Sequence, residues 1–117
     1  MDSILDSIKK IVGITPDCVD FDDEIIPAIN TSFYRLWTLG IGRDKKKPFK
    51  IEDNSSVWSD FIDDTIMETV KSFVGLEVRL LFDPPTNSFL VTAIKDQIDK
   101  YEFLMTVGED EYRLADE

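Results

Sequence analysis

A chain of 117 residues with 43% hydrophobic and 32% charged side chains has enough apolar surface for one modest core and too much for a disordered segment. Its 24 acidic and 13 basic residues leave a net charge of −11, the wrong sign for a protein that grips DNA by its phosphates. No apolar run approaches the roughly 20 residues of a membrane span, the N-terminus lacks a basic region followed by an apolar one, and the lone Cys18 fits a reducing compartment with no internal disulfide.

Ser3 and Asp6 form a capping-box pattern ahead of Ile4, Leu5, Ile8, Ile11 and Val12, and Gly13 stands where a helix of about three turns would end. Thr15-Pro16-Asp17 reads as a turn, and Asp20 to Glu24 sets negative charge at the start of the next helix, where the macrodipole favours it. That helix is predicted from Asp23 to Leu39, with Pro27 tolerated as a first-turn residue. Ile25, Ile26, Ile29, Phe33, Leu36, Trp37 and Leu39 share its buried face, Tyr34 lies opposite, and Gly40 and Gly42 break it.

From Ile41 to Asn54 the periodicity lapses, and the segment holds Pro48 and most of the positive charge. It reads as a long exposed arm, with a short strand or hairpin around Phe49 and Ile51 as the alternative. Asn54, Ser55 or Ser56 is a suitable cap for a short helix that runs through Ile62 and buries Val57, Trp58, Phe61 and Ile62.

Thr65 to Met105 is the organising element, a helical hairpin hinged on Phe82-Asp83-Pro84-Pro85. Pro85 forces Pro84 out of the α region and neither proline donates a backbone hydrogen bond, so the first arm must stop there. Thr65 and Glu68 form its capping box, and Thr86, Asn87 or Ser88 caps the second arm. A helical period puts Ile66, Met67, Val70, Phe73, Val74, Val78, Leu80 and Leu81 on one face of the first arm. The matching seam of the second arm is Leu90, Val91, Ile94, Ile98, Tyr101, Leu104 and Met105. Gly108 suits the left-handed position past its end, which leaves an acidic tail over 109–117. The fold class that follows is mainly α, a small antiparallel bundle of four to five helices formed by one domain over 1–108, with the arm at 41–54.

No histidine, glycine-rich phosphate loop or nucleophile elbow is present, so no catalytic residue, cofactor site or metal site is assigned and the chain reads as a non-enzyme. Asp20, Asp22, Asp23 and Glu24 lack the loop pattern of a calcium hand and read as caps and solvated charge. Cys18 has no imidazole to activate it. Three features point instead to contacts. Glu77 falls within the apolar face of the first arm, either partly exposed where the hairpin widens or paired with a cation on another subunit. Phe89, Phe103 and Val107 lie off the seam of the second arm, either beneath the first helix or at an inter-subunit contact. Arg43, Lys45, Lys46, Lys47 and Lys50 against Asp44 give the arm a charge of +4 and leave −15 for the remainder, so the arm complements an acidic neighbour such as an adjacent subunit or a portal.

The run Val78-Arg79-Leu80-Leu81-Phe82-Asp83-Pro84-Pro85 and the amphipathic helix ending Tyr101-Glu102-Phe103-Leu104 resemble the small head-tail connector (adaptor) proteins of long-tailed bacteriophages. So do Ile4-Leu5-Asp6-Ser7-Ile8-Lys9-Lys10, the Asp22-to-Gly40 helix with its Leu39-Gly40-Ile41-Gly42 ending, and Ile51-Glu52-Asp53 leading to Val57-Trp58-Ser59-Asp60-Phe61, in the same order along most of the chain. The resemblance implies a virion structural protein, assembled in the host cytoplasm as a dodecameric ring between the portal and the tail-completion or stopper protein, close to the genomic DNA in the channel and away from any membrane. Two rivals remain on sequence. One is an acidic DNA mimic that binds a basic host nucleic-acid enzyme, which the positive arm fits poorly; the other is a carboxylate-metal hydrolase, which the missing histidines disfavour.

Overall fold

A computed structural model describes residues 3–62 and 66–115, the side chains of 108–115 excepted. Five helices follow one another: α1 (Ile4–Ile11), α2 (Asp22–Thr38), α3 (Trp58–Phe61), α4 (Met67–Phe82) and α5 (Ser88–Ala115), and the described residues form no strand. Among the described residues one antiparallel bridge joins Ser3 to Val57.

Local chemistry sets most helix ends. Ser3 caps α1 by accepting the Asp6 N–H at 3.3 Å, and Gly13, at φ +88°, turns the chain after it while Ile14 N donates to Lys9 O. α4 ends at the expected proline turn: Asp83 N still donates to Arg79 O, and the prolines then offer no donor. Asn87 accepts the Phe89 N–H at 2.8 Å at the entrance to α5. At α3 the expected Asn54, Ser55 and Ser56 are not the cap; Val57 occupies that position and the Asp60 carboxylate accepts its N–H at 3.1 Å.

Two helix ends differ from expectation. α2 begins at Asp22, so Pro27 stands past the first turn and inside the helix. α5 continues through Gly108 to Ala115, because one glycine costs only about 1 kcal/mol in a helix that neighbouring residues sustain. The capping box expected at Thr65, and Asp63 and Asp64 before it, lie outside the described residues.

One core unites the helices. Ile4, Leu5 and Ile8 of α1, Ile25, Ile29, Phe33 and Leu36 of α2, and Val70, Phe73, Val74 and Val78 of α4 are buried, and α5 closes over them with Ile98 and Met105. α5 folds back along α4 as the hairpin pattern requires. Its inner seam is narrower than predicted, though. Leu90 and Leu104 are exposed, and Leu81 near the end of α4 is exposed as well, because each lies at the edge of its apolar arc, where no third layer covers it.

The segment 41–54 is a pinned strap, not a long extended arm. Ile41 and Ile51 are buried, and Phe49 packs edge-on against Phe33 with ring centroids 5.4 Å apart. Asn30 of α2 holds both backbone groups of Ile51, accepting its N–H at 2.8 Å and donating to its carbonyl at 3.0 Å. Near the other end, Trp37 Nε1 donates to Lys45 O at 3.2 Å and Arg43 N donates to Phe61 O at 3.0 Å. Gly42, at φ +125°, lets the strap pass close over the Phe61 ring.

Candidate functional site

Three features stand out, one part-buried network and two surfaces that could do work. The network is a clamp centred on Arg35. Its Nη1 donates to Glu77 Oε2 at 2.8 Å, its Nη2 to Glu102 Oε2 at 2.6 Å, and its guanidinium lies 5.5 Å from the centre of the Phe73 ring. Ser32 Oγ donates to the other Glu77 oxygen at 3.0 Å. One cation on α2 thereby ties α4 and α5 together.

The partner that sequence left open for Glu77 therefore lies in the same chain, and both its oxygens are committed there, which corrects its assignment as a subunit contact. Burial raises the Glu77 pKa above the usual carboxylate value and outweighs the opposing pull of Arg35 and Ser32. Arg35 is held further in its charged form by the two carboxylates, against the cost of its own burial. The sign for stability follows: with a raised folded pKa, native Glu77 keeps a proton that the unfolded chain releases, so its contribution falls as pH rises through that window. In parallel denaturation series, the stability difference between the wild type and Glu77→Gln is expected to shift against the wild type from pH 4 to pH 7. A flat difference would contradict it.

The second feature is the strap's charge. Arg43, Lys45, Lys46, Lys47 and Lys50 are all exposed. Arg43 Nε donates to Ser59 O and Lys45 Nζ to Gly40 O, which fixes two of the stems. Among the described residues no carboxylate pairs with Lys46, Lys47 or Lys50. Pro48 and Phe49 stand half-buried between these cations and help line a shallow hollow with Asp44, Lys47 and Lys50.

The third feature is the outer face of α5. Phe89 is 85% exposed and Phe103 65%, so α1 does not cover them, while Val107 is half-buried. Phe89, Ala93, Asp96, Lys100, Phe103 and Val107 recur at spacings of three and four, with Leu90 and Leu104 beside them, which makes one apolar stripe interrupted by two charges. The proline turn of Phe82 to Pro85 lies just before the stripe, with the Phe82 ring edge-on to Phe21 at 5.5 Å.

Among the described residues no group of three His, Cys, Asp or Glu side chains is placed to hold a metal ion. Asp22 of the acidic run, read from sequence as cap and solvated charge, is instead taken by an ion pair 2.8 Å long with the buried Lys9. No described helix is long and apolar enough to cross a membrane.

A family model described as phage connector protein matches residues 4–112, nearly the whole chain. The chain belongs to the phage connector protein family. No curated protein and no solved structure was found to match it. Membership makes this connector a helical-bundle structural protein of the bacteriophage head-tail junction, associated with other head and tail proteins. What remains to be assigned is which of its surfaces make those contacts.

Proposed function

We propose that this connector closes into a ring, dodecameric in the virion, between the portal and the tail-completion or stopper protein, and lines the passage taken by the DNA. The family match over residues 4–112 carries the reading. Residues 1–108 act as the connector domain and 109–117 as an acidic extension toward a neighbour. The apolar stripe of α5 supports association, since an exposed row of Phe and Leu side chains on a small chain fits an interface better than open water. The charge supports passage: a ring repeats each subunit's net −11 around its lumen, which repels phosphates and lets the genome slide without sticking. Assembly takes place in the host cytoplasm, and the role is mechanical and electrostatic rather than catalytic. The strap's five exposed cations speak against the DNA-mimic alternative.

The test is to mix the purified chain with tailless, DNA-filled heads of its phage, sediment them and count the copies that co-pellet. Saturation at about one ring per head is expected, as closed symmetry on one portal vertex requires. The double variant Phe89→Ser/Phe103→Ser should keep its stability within about 1 kcal/mol, both sites being exposed, yet bind far fewer copies. Absence of binding to heads that still accept tails would overturn the reading.

A further inference from the structure

Lys45 of the strap and an acidic groove lie at opposite ends of α2. Lys45 sits against Trp37 and Gly40 at the C-terminal end. At the other end, three segments meet around a groove of about 310 Å³: Leu5, Asp6 and Lys9 of α1, Pro16, Val19, Asp22, Asp23 and Ile26 from the turn into α2, and Glu52, Asp53 and Asn54 at the far end of the strap. The distance is large. With 1.5 Å per residue, the stretch from Asp23 to Trp37 separates the two ends by about 20 Å.

The groove offers what the strap lacks. Lys9 neutralises Asp22, and Asp6, Asp23, Glu52 and Asp53 are left without a cation among the described residues, four negative charges against the net four positive ones of residues 43–50. Asp53 is further held in its charged form by the Ser55 N–H and hydroxyl at 2.9 and 2.5 Å. Complementarity is not only electrostatic. Val19 is 67% exposed beside the half-buried Ile26, and the strap presents Pro48 and Phe49 between its lysines, so each surface has an apolar centre with charge around it. Both surfaces are rigidly mounted, the strap by Asn30, Trp37 and Phe61, the groove by the Lys9–Asp22 pair and by the Lys9 Nζ bond to Pro16 O.

We infer that Lys45 to Lys47 of one copy's strap dock into the groove between α1 and the start of α2 on the next copy. Two different patches, about 20 Å apart along one helix, meet head to tail, which is the heterologous contact a closed ring needs. A chain cannot satisfy its own groove with its own Lys45 to Lys47, because α2 holds them at its other end. The inference rests on the ring reading above and names its interface.

The test uses head-bound protein. Chains carrying Lys46→Cys are mixed with chains carrying Asp23→Cys, both in a Cys18→Ser background, bound to tailless heads and treated with a short bis-maleimide that adds one thiol at each end. A dimer joined through 46 and 23 is expected, with little 46-to-46 or 23-to-23 product. A charge-swap series runs beside it. Lys45→Glu/Lys46→Glu/Lys47→Glu alone, and Asp23→Lys/Glu52→Lys/Asp53→Lys alone, should each reduce bound copies at least tenfold, and the chain carrying both sets should recover to within about twofold of wild type, since the attraction depends on opposite sign and not on which side holds it. Circular dichroism checks that each variant is folded. Heads that bind the chain without the 46-to-23 product, or strap reversal that the groove reversal does not rescue, would overturn the inference and leave the ring intact, with the strap meeting another protein or DNA. Heads that bind no wild-type chain would overturn the ring reading itself.

Discussion

Arg35→Ala is expected to destabilise the chain by about 2–3 kcal/mol. Removing one member of a buried pair usually costs about 3–5 kcal/mol, because the remaining charge keeps its burial and loses its partner; the Arg35 side chain is 42% exposed, so solvent screening takes part of that away. Glu77 would keep only Ser32, and two carboxylates from α4 and α5 would face each other with no cation between them. For a chain of this size the loss corresponds to a melting temperature lower by about 8–15 °C. Thermal unfolding followed by circular dichroism measures it. Two companions separate charge from packing. Arg35→Met keeps a stem over Phe73 and should recover little, whereas adding Glu77→Gln to Arg35→Ala removes the stranded charge and should recover more than half of the loss. A double variant no better than Arg35→Ala would show that the clamp acts by packing alone.

Trp58→Ala should cost more, about 3–5 kcal/mol, which is the range for emptying a buried aromatic site. Trp58 is 2% exposed, stands edge-on to Phe33 at 6.1 Å between ring centroids, and donates Nε1–H to Ser7 Oγ at 2.7 Å. Small domains hold only about 5–15 kcal/mol in total, so this variant sits near its unfolding limit. Trp58→Phe keeps a ring on Phe33 and loses the hydrogen bond, and should cost about 1 kcal/mol net of partial repacking. Urea titration monitored through the remaining Trp37 checks both. Equal losses for the two substitutions would mean that the Ser7 bond, not the ring, holds α3 to α1.

Much of this fold is legible in the chain because its helix ends are written in local chemistry. Ser3 with Asp6, Gly13 and the Pro84-Pro85 pair each dictate a boundary from the residues beside them, and the helical period of Ile25, Ile29, Phe33 and Leu36 marks a buried face with no help from the rest of the molecule. The connector family is legible too, since hydrophobic spacing along most of the chain carries it. What escaped is what depends on partners far apart in sequence. The strap reads as exposed because Ile41, Phe49 and Ile51 follow no period, and only the fold shows that Phe33, Phe61 and the Asn30 side chain wait for them. Lys9 gave no sign that it would be buried, its carboxylate being 13 positions away across a turn. Glu77 did give a signal, as an acid in an apolar face. Its answering cation belonged to another helix, and the clue there was Arg35 standing one turn after Ser32 at the edge of the buried arc of α2.

Pro27 leaves one gap in the backbone ladder of α2. A proline at this position removes the donor that would have met the Asp23 carbonyl, so the hydrogen-bond ladder is interrupted one turn into the helix. Upstream of the break, the opening turn hangs on Phe21 O, which accepts from Glu24 N and Ile25 N, and on the Lys9 ammonium that grips Asp22 from α1. Downstream, the long remainder is welded to α4 by the aromatic core and by Arg35. The first turn of α2 is thus held from outside its own ladder: the Lys9–Asp22 pair and the burial of Ile25 in the shared core carry it across the gap that Pro27 leaves.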